Sequence, residues 1–172
     1  MVIKSRPLRN IVSTWGVLGV IALLGFAVYR LYPFVIDLTH EKLVLWQYII
    51  MIVWSLFMIY TEGIQAFGKQ FSPRVVARAR ELPDHASWTR VILAPLFCIG
   101  YFAAPKKRVI TAYSLAAGII TLIIIVHFIP QPWRGIIDVG VILGLVLGVL
   151  TLIYHSAKAI FGNRPGVDSE II

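Results

Sequence analysis

Four long uncharged apolar stretches, Ile11 to Tyr29, Leu43 to Thr61, Val109 to Phe128 and Val139 to Tyr154, constrain this chain more than any motif in it. Each approaches the roughly 20 residues that a helix needs to cross a bilayer. Lipid satisfies no backbone N–H or C=O group, so an apolar stretch of this length crosses as a helix that bonds its own backbone. The expectation is an all-α membrane protein with spans over 11–36, 43–67, 108–129 and 136–161. Short connections at Asp37 to Lys42 and Ile129 to Asp138 predict two hairpins, spans one with two and three with four. With 172 residues, 59% of them hydrophobic, little polar material remains for a soluble domain, so 1–172 reads as a single membrane domain. The first apolar run continues through Arg30 without a small-residue cleavage site, and it reads as a retained helix.

The net charge of +8 takes its meaning from where the charge lies. Thirteen of the 16 basic residues fall before span one, between spans two and three, or after span four; only Arg30, Lys42 and Arg134 lie on the other side. The positive-inside rule then places both termini in the cytoplasm, with anionic lipid headgroups as partners of the basic rim and no nucleic acid.

The long basic connection between spans two and three divides into two parts. Ser72-Pro73 is a helix-start signal, and basic and apolar residues alternate after it in a helical pattern, which predicts an amphipathic helix over 73–82 on the inner membrane surface. Residues 88–104 contain an uncharged run from Val91 to Ala104, interrupted at Pro95 and Gly100. That run is short for a crossing and has basic residues on both flanks, so it reads as a re-entrant or interfacial segment broken at Pro95 or Gly100, the alternative being a fifth span.

Gly140, Gly144 and Gly148 repeat at steps of four in the last span, with Thr151 and His155 extending the same face. Glycine at this spacing lets helix backbones approach closely. Span three, with Ala112, Ser114, Ala116 and Gly118, is the expected neighbour, and an oligomer interface is the alternative.

Chemistry-bearing residues are few. Cys98 is the single cysteine, which removes intrachain disulfides. The four histidines fall at both membrane faces in no ligand spacing, so neither a metal nor a cofactor is expected. Asp138 reads as helix-start chemistry, favoured by the dipole of the last span. Glu62 reads as one half of an ion pair with an arginine between Arg74 and Arg80, or as a proton or cation site.

The stretch from Glu62 to Ala79, EGIQAFGKQFSPRVVARA, resembles a segment of a family of small bacterial integral membrane proteins without an assigned activity. It covers about a tenth of the chain. The resemblance implies a multi-pass protein of the bacterial cytoplasmic membrane and carries no catalytic role with it. Read residue by residue, it marks a functional junction of Glu62, Phe67, Lys69, Phe71, Ser72, Arg74 and Arg78, in which Phe67 and Phe71 anchor the turn from span two into the basic connection.

The sequence therefore favours a non-enzymatic structural or accessory component of a membrane complex, with a protein partner or a second copy of the chain. A small oligomeric transporter or channel, built around the Pro95/Gly100 break with Glu62 as its polar group, is the alternative. A lipid-modifying enzyme using Glu62, Arg74, Arg78, Asp84 and His85 is a second alternative.

Overall fold

The computed structural model describes residues 5–85, 87–160 and 162, and every regular element among them is helical. Four helices are long and apolar enough to cross a membrane: α1 (Arg6–Thr39), a continuous run from Leu45 to Glu81, α6 (Lys106–His127) and α7 (Trp133–Ile160). The continuous run consists of α2 (Leu45–Met58), a π-helical segment (Ile59–Phe71) and α3 (Ser72–Glu81). Two short helices, α4 (Trp88–Ile92) and α5 (Ala94–Ile99), fill the connection to α6.

The helices associate around α7. It packs against α1 on one side and against α2, the π segment and α3 on the other. This differs from the expected hairpins: α1 and α2, and likewise α6 and α7, are joined by short connections yet do not pack along their lengths. The reason lies in the small residues. Side chains at Gly135, Gly140, Gly144 and Gly148 would collide with or crowd residues of α1, α2 or the π segment, whereas Gly118 of α6 has open space around it. The glycine face therefore meets the second membrane-length helix, and span three is not its partner.

The core sits at one end of the bundle, where α1, α3, α5 and α7 converge on Val20, Val76, Leu82, Phe97 and Leu152. Arg9, Lys69, Arg74 and Arg80 belong to this end, called the basic end below. At the opposite end, Trp46 stacks obliquely on Trp133 with centroids 5.2 Å apart, and Gln131 Nε2 donates to Phe34 O at 3.0 Å. Arg134 lies over the Phe34 ring, and its Nε is 3.8 Å from Asp138 Oδ2 one turn on. Asp138 is thus a buried neighbour of a cation on α7, five residues into that helix, and its role extends beyond the helix start.

The basic connection also departs from expectation. A helix forms over Ser72–Glu81, but it continues the preceding helix without interruption and buries Val75, Val76, Ala77, Arg78 and Ala79. It is not an amphipathic surface helix, because α1, α5 and α7 cover it and leave no apolar face for lipid. Residues 88–99 form helices of five and six residues broken at Leu93, and Gly100 ends α5 in the left-handed region at φ 101°. At about 1.5 Å per residue neither short helix can cross the bilayer, which removes the fifth span.

Candidate functional site at the basic end

The π segment organises this end. An i→i+5 helix is wider than an α-helix, is rare at this length and is often found at functional positions. The side-chain pattern explains it. Continued α-helical winding from Met58 would bring Glu62, Gln65 and Lys69 round to one face at steps of three and four. The wider winding returns after about four to five residues and instead presents Gly63, Phe67, Gly68, Phe71 and Ser72. Gly63 meets Leu147, Phe67 lies on Gly148, and Ser72 Oγ is 3.1 Å from Thr151 Oγ1. The Gly68 carbonyl lies 3.2 Å from His155 Nε2. Apolar and small side chains thereby face α7, while Lys69 stays exposed and Gln65 reaches back five residues to Tyr60 Oη at 2.9 Å.

The residues of the expected junction therefore separate into two groups. Phe67, Phe71 and Ser72 are packing residues: the two rings meet edge-on at 5.3 Å, and Ser72 is fully buried. Glu62, Lys69 and Arg74 face outward to differing degrees. Glu62 lies beside Gly144 and, among the described residues, makes no ion pair or side-chain hydrogen bond, so the expected pairing with an arginine is not formed. Arg74 uses its Nε–H on the carbonyl of Gln70 one turn before it.

Arg78 is the most committed side chain of the group. It is 4% exposed, donates from Nε to Phe97 O at 2.8 Å, and donates from Nη2 to Phe102 O and Ala103 O at 3.0 and 3.1 Å. Its guanidinium also lies over the Phe97 ring, 4.4 Å from the centroid. The left-handed turn at Gly100 and the positive φ of Ala103 strip carbonyls of helical partners, and the planar fork of the arginine supplies donors to them. Pro95 closes the same break from the other side by packing on Gly19 of α1. The Pro95/Gly100 break is thus sealed by protein. Cys98 at its centre is buried against Gly16, and burial pushes its thiol up to about 12.

Two further links fasten this region to α1. Arg9 donates through both terminal nitrogens to the Asp84 carboxylate, the Nη2 bond being 2.8 Å, and the bond holds that carboxyl below its ordinary range. Trp15 Nε1 donates to Val91 O at 3.2 Å. His85 is exposed. Among the described residues no three His, Cys, Asp or Glu side chains gather as a metal site.

Beside these links, residues of α1, α3 and α7 line a cleft of about 760 Å³. Its residues on α1 follow one helical face from Arg9 and Asn10 to Ile21. No sequence signal marks this cleft, because its lining comes from helices remote from one another in the chain. Comparison with protein-family models, with curated proteins and with solved structures gives no match to this chain.

Proposed function

We propose that this multi-pass membrane protein is a non-enzymatic accessory component of a membrane complex, with α6 as the helix that a partner covers. The observation that carries this reading is the isolation of α6. Its 22 residues include Ile110, Tyr113, Leu115, Ile119 and Ile123, all of them exposed, and among the described residues it does not pack along any other helix. Thr111, Ser114, Gly118 and Thr121 lie along one side of it at steps of three and four. Small and hydroxyl residues at that spacing suit close helix–helix contact in lipid, where apolar area alone does not drive association. The polar side chains of the basic end support the same reading, since Arg78, Ser72 and His155 are engaged in internal links that hold structure together.

The charge bias orients this protein in a bacterial cytoplasmic membrane with both termini inside and the basic end against anionic headgroups. Gentle extraction followed by native mass determination tests the reading. A membrane protein of different mass in fixed stoichiometry, crosslinked through Ser114→Cys, is the expected result. A monomer that carries out turnover alone would overturn it.

One observation favours the transporter alternative. Among the described residues Glu62 is a carboxylate without an ion-pair partner, in a π-helical part of a membrane-length helix, and ionisable groups in such positions commonly mark ion or proton paths. Proton or cation flux in vesicles, abolished by Glu62→Gln, is the result that would establish it.

A further inference from the structure

Arg30 and Glu62 follow different apolar runs, and the charge pattern assigns them to opposite membrane faces. Packing brings them to one level. Leu38 of α1 meets Gly135 of α7 at the end opposite the basic one, and Val17 and Ile21 line the cleft together with Ser156 and Ile153, so α1 runs antiparallel to α7 in one register. Arg30 stands eight residues before Leu38 and Gly144 nine residues after Gly135, which at about 1.5 Å per residue sets both roughly 12–14 Å in from that contact. Glu62 lies beside Gly144, close to the middle of the 28-residue α7 and within a hydrocarbon core of ~30 Å. Both side chains are exposed, and among the described residues neither makes an ion pair or a side-chain hydrogen bond.

Charged side chains at such depth are costly unless they meet one another, other polar protein groups or water. Within one chain these two stay apart, because α1 and the π segment each pack along α7 and, among the described residues, not along one another. Copies of a membrane protein share one orientation, so residues that are level within a chain are level between neighbours. We propose that this chain associates with itself head to tail in the membrane plane, Arg30 of one copy pairing with Glu62 of the next. A second copy answers both unpaired charges with one repeated contact, whereas a foreign helix seated at either residue answers only one. The two sides of the contact are different surfaces, so its repetition closes a ring where the rotation allows. Apolar neighbours extend the match: toward the basic end Arg30 is followed by exposed Phe26 and by Gly25, which has open space around it, and Glu62 is followed by exposed Ile64. The inference does not depend on what covers α6, which carries neither residue.

Disulfide crosslinking of the full chain in phospholipid vesicles tests the proposal. A chain with both Phe26→Cys and Ile64→Cys, its charges intact, should give a ladder of crosslinked copies, and either cysteine alone should leave single chains; Cys98 is buried and adds no background. Set into the doubly substituted chain, Arg30→Glu or Glu62→Arg should lower the yield by about tenfold or more, because like charges then face each other in lipid. Mixing the two reversed chains should restore it, since each junction between unlike chains again joins an arginine to a glutamate. A folding defect in either variant would not be relieved by mixing, and the milder Arg30→Gln and Glu62→Gln, checked by thermal unfolding in detergent, should show the same loss. Single chains only from the doubly substituted parent would overturn the proposal, as would a yield indifferent to the charge reversals. Dimers formed equally well through Phe26→Cys alone would replace the head-to-tail contact with a symmetric one and overturn it too. A protein of different mass crosslinked at both cysteines in place of a second copy would do the same.

Discussion

Two membrane-length helices, α7 and α6, are alike in apolar content and opposite in fate. A third of the most apolar window of α7 is buried, against 6% of that of α6. Hydropathy brings both into the bilayer, where lipid is as good a solvent for leucine as another helix is. What separates them is the fit of small residues to bulky neighbours. Gly148 receives the Phe67 ring and Gly140 receives Trp54, whose indole N–H also donates to Ile137 O at 3.1 Å. Gly118 of α6 receives nothing among the described residues. Apolar length decides that a helix crosses; local shape and polar links decide what it crosses with.

The sharpest way to break this contrast is at Arg78, which holds the packed side together. Arg78→Ala leaves the carbonyls of Phe97, Phe102 and Ala103 without its donors and should cost about 3 kcal/mol or more, read as unfolding in detergent. Arg78→Lys should recover only part of that loss, because a single ammonium cannot reproduce the planar fork. Next in size is Gly148→Leu. A Cβ there stands 2.8 Å from the Phe67 ring, and overpacking of this kind costs about 1–3 kcal/mol. The matched change in the isolated helix, Gly118→Leu, should alter the stability of the lone chain by less than about 0.5 kcal/mol while lowering recovery of a copurifying partner. Equal losses of stability at Gly118 and Gly148 would dissolve the distinction between the helices.

Ser72→Ala and Thr151→Val should each cost about 1 kcal/mol and together less than their sum, since one hydroxyl pair links them. The smallest effect concerns the exposed Arg9–Asp84 pair. Asp84 has a folded-state pKa below its unfolded value, so its contribution is present above the unfolded pKa and is lost as pH falls through the folded one, below about pH 4. A melting temperature in detergent that falls in this range for the parent chain but less for Asp84→Asn is the expected signature.

Much of the architecture was legible in the sequence, and the omissions have physical causes. The four crossing helices follow from uncharged apolar runs, which tertiary contacts cannot easily override in lipid. The glycine face of α7 was legible too, but its partner was not, because small-residue spacing fixes a surface without naming the helix that docks on it. The π winding left a readable trace: from Met58 onward, Gly63, Phe67, Phe71 and Ser72 recur at steps of four and five, while Gln65 and Lys69 occupy the positions an α-helix would turn inward. A search confined to the α and β periods passes over it. Arg78 stands among Val75, Val76, Ala77 and Ala79, a setting more apolar than a solvated arginine requires. Its acceptors arise from backbone turns near Gly100 and Ala103, about 20 residues on, which no local pattern reveals. The outward-facing half of the expected junction, Glu62, Lys69 and Arg74, was grouped with the packing half because one contiguous stretch of resemblance covers both, and contiguity does not say which side chains face α7.

The π segment also acts as a gear for everything that follows it. In an α-helix each residue advances the chain by about 100°, so the wider winding of Ile59–Phe71 accumulates a rotational offset before α3 begins. That offset sets the angle at which Arg78 leaves the helix and meets the carbonyls beyond α5. Were Ile59–Phe71 to wind as an α-helix with the same residues, α3 would begin at a different rotation about the helix axis. The guanidinium would then swing out of phase with its acceptors without any change in the residues that bind. The phase of one helix, counted in residues, thus governs whether a distant break in the backbone is closed.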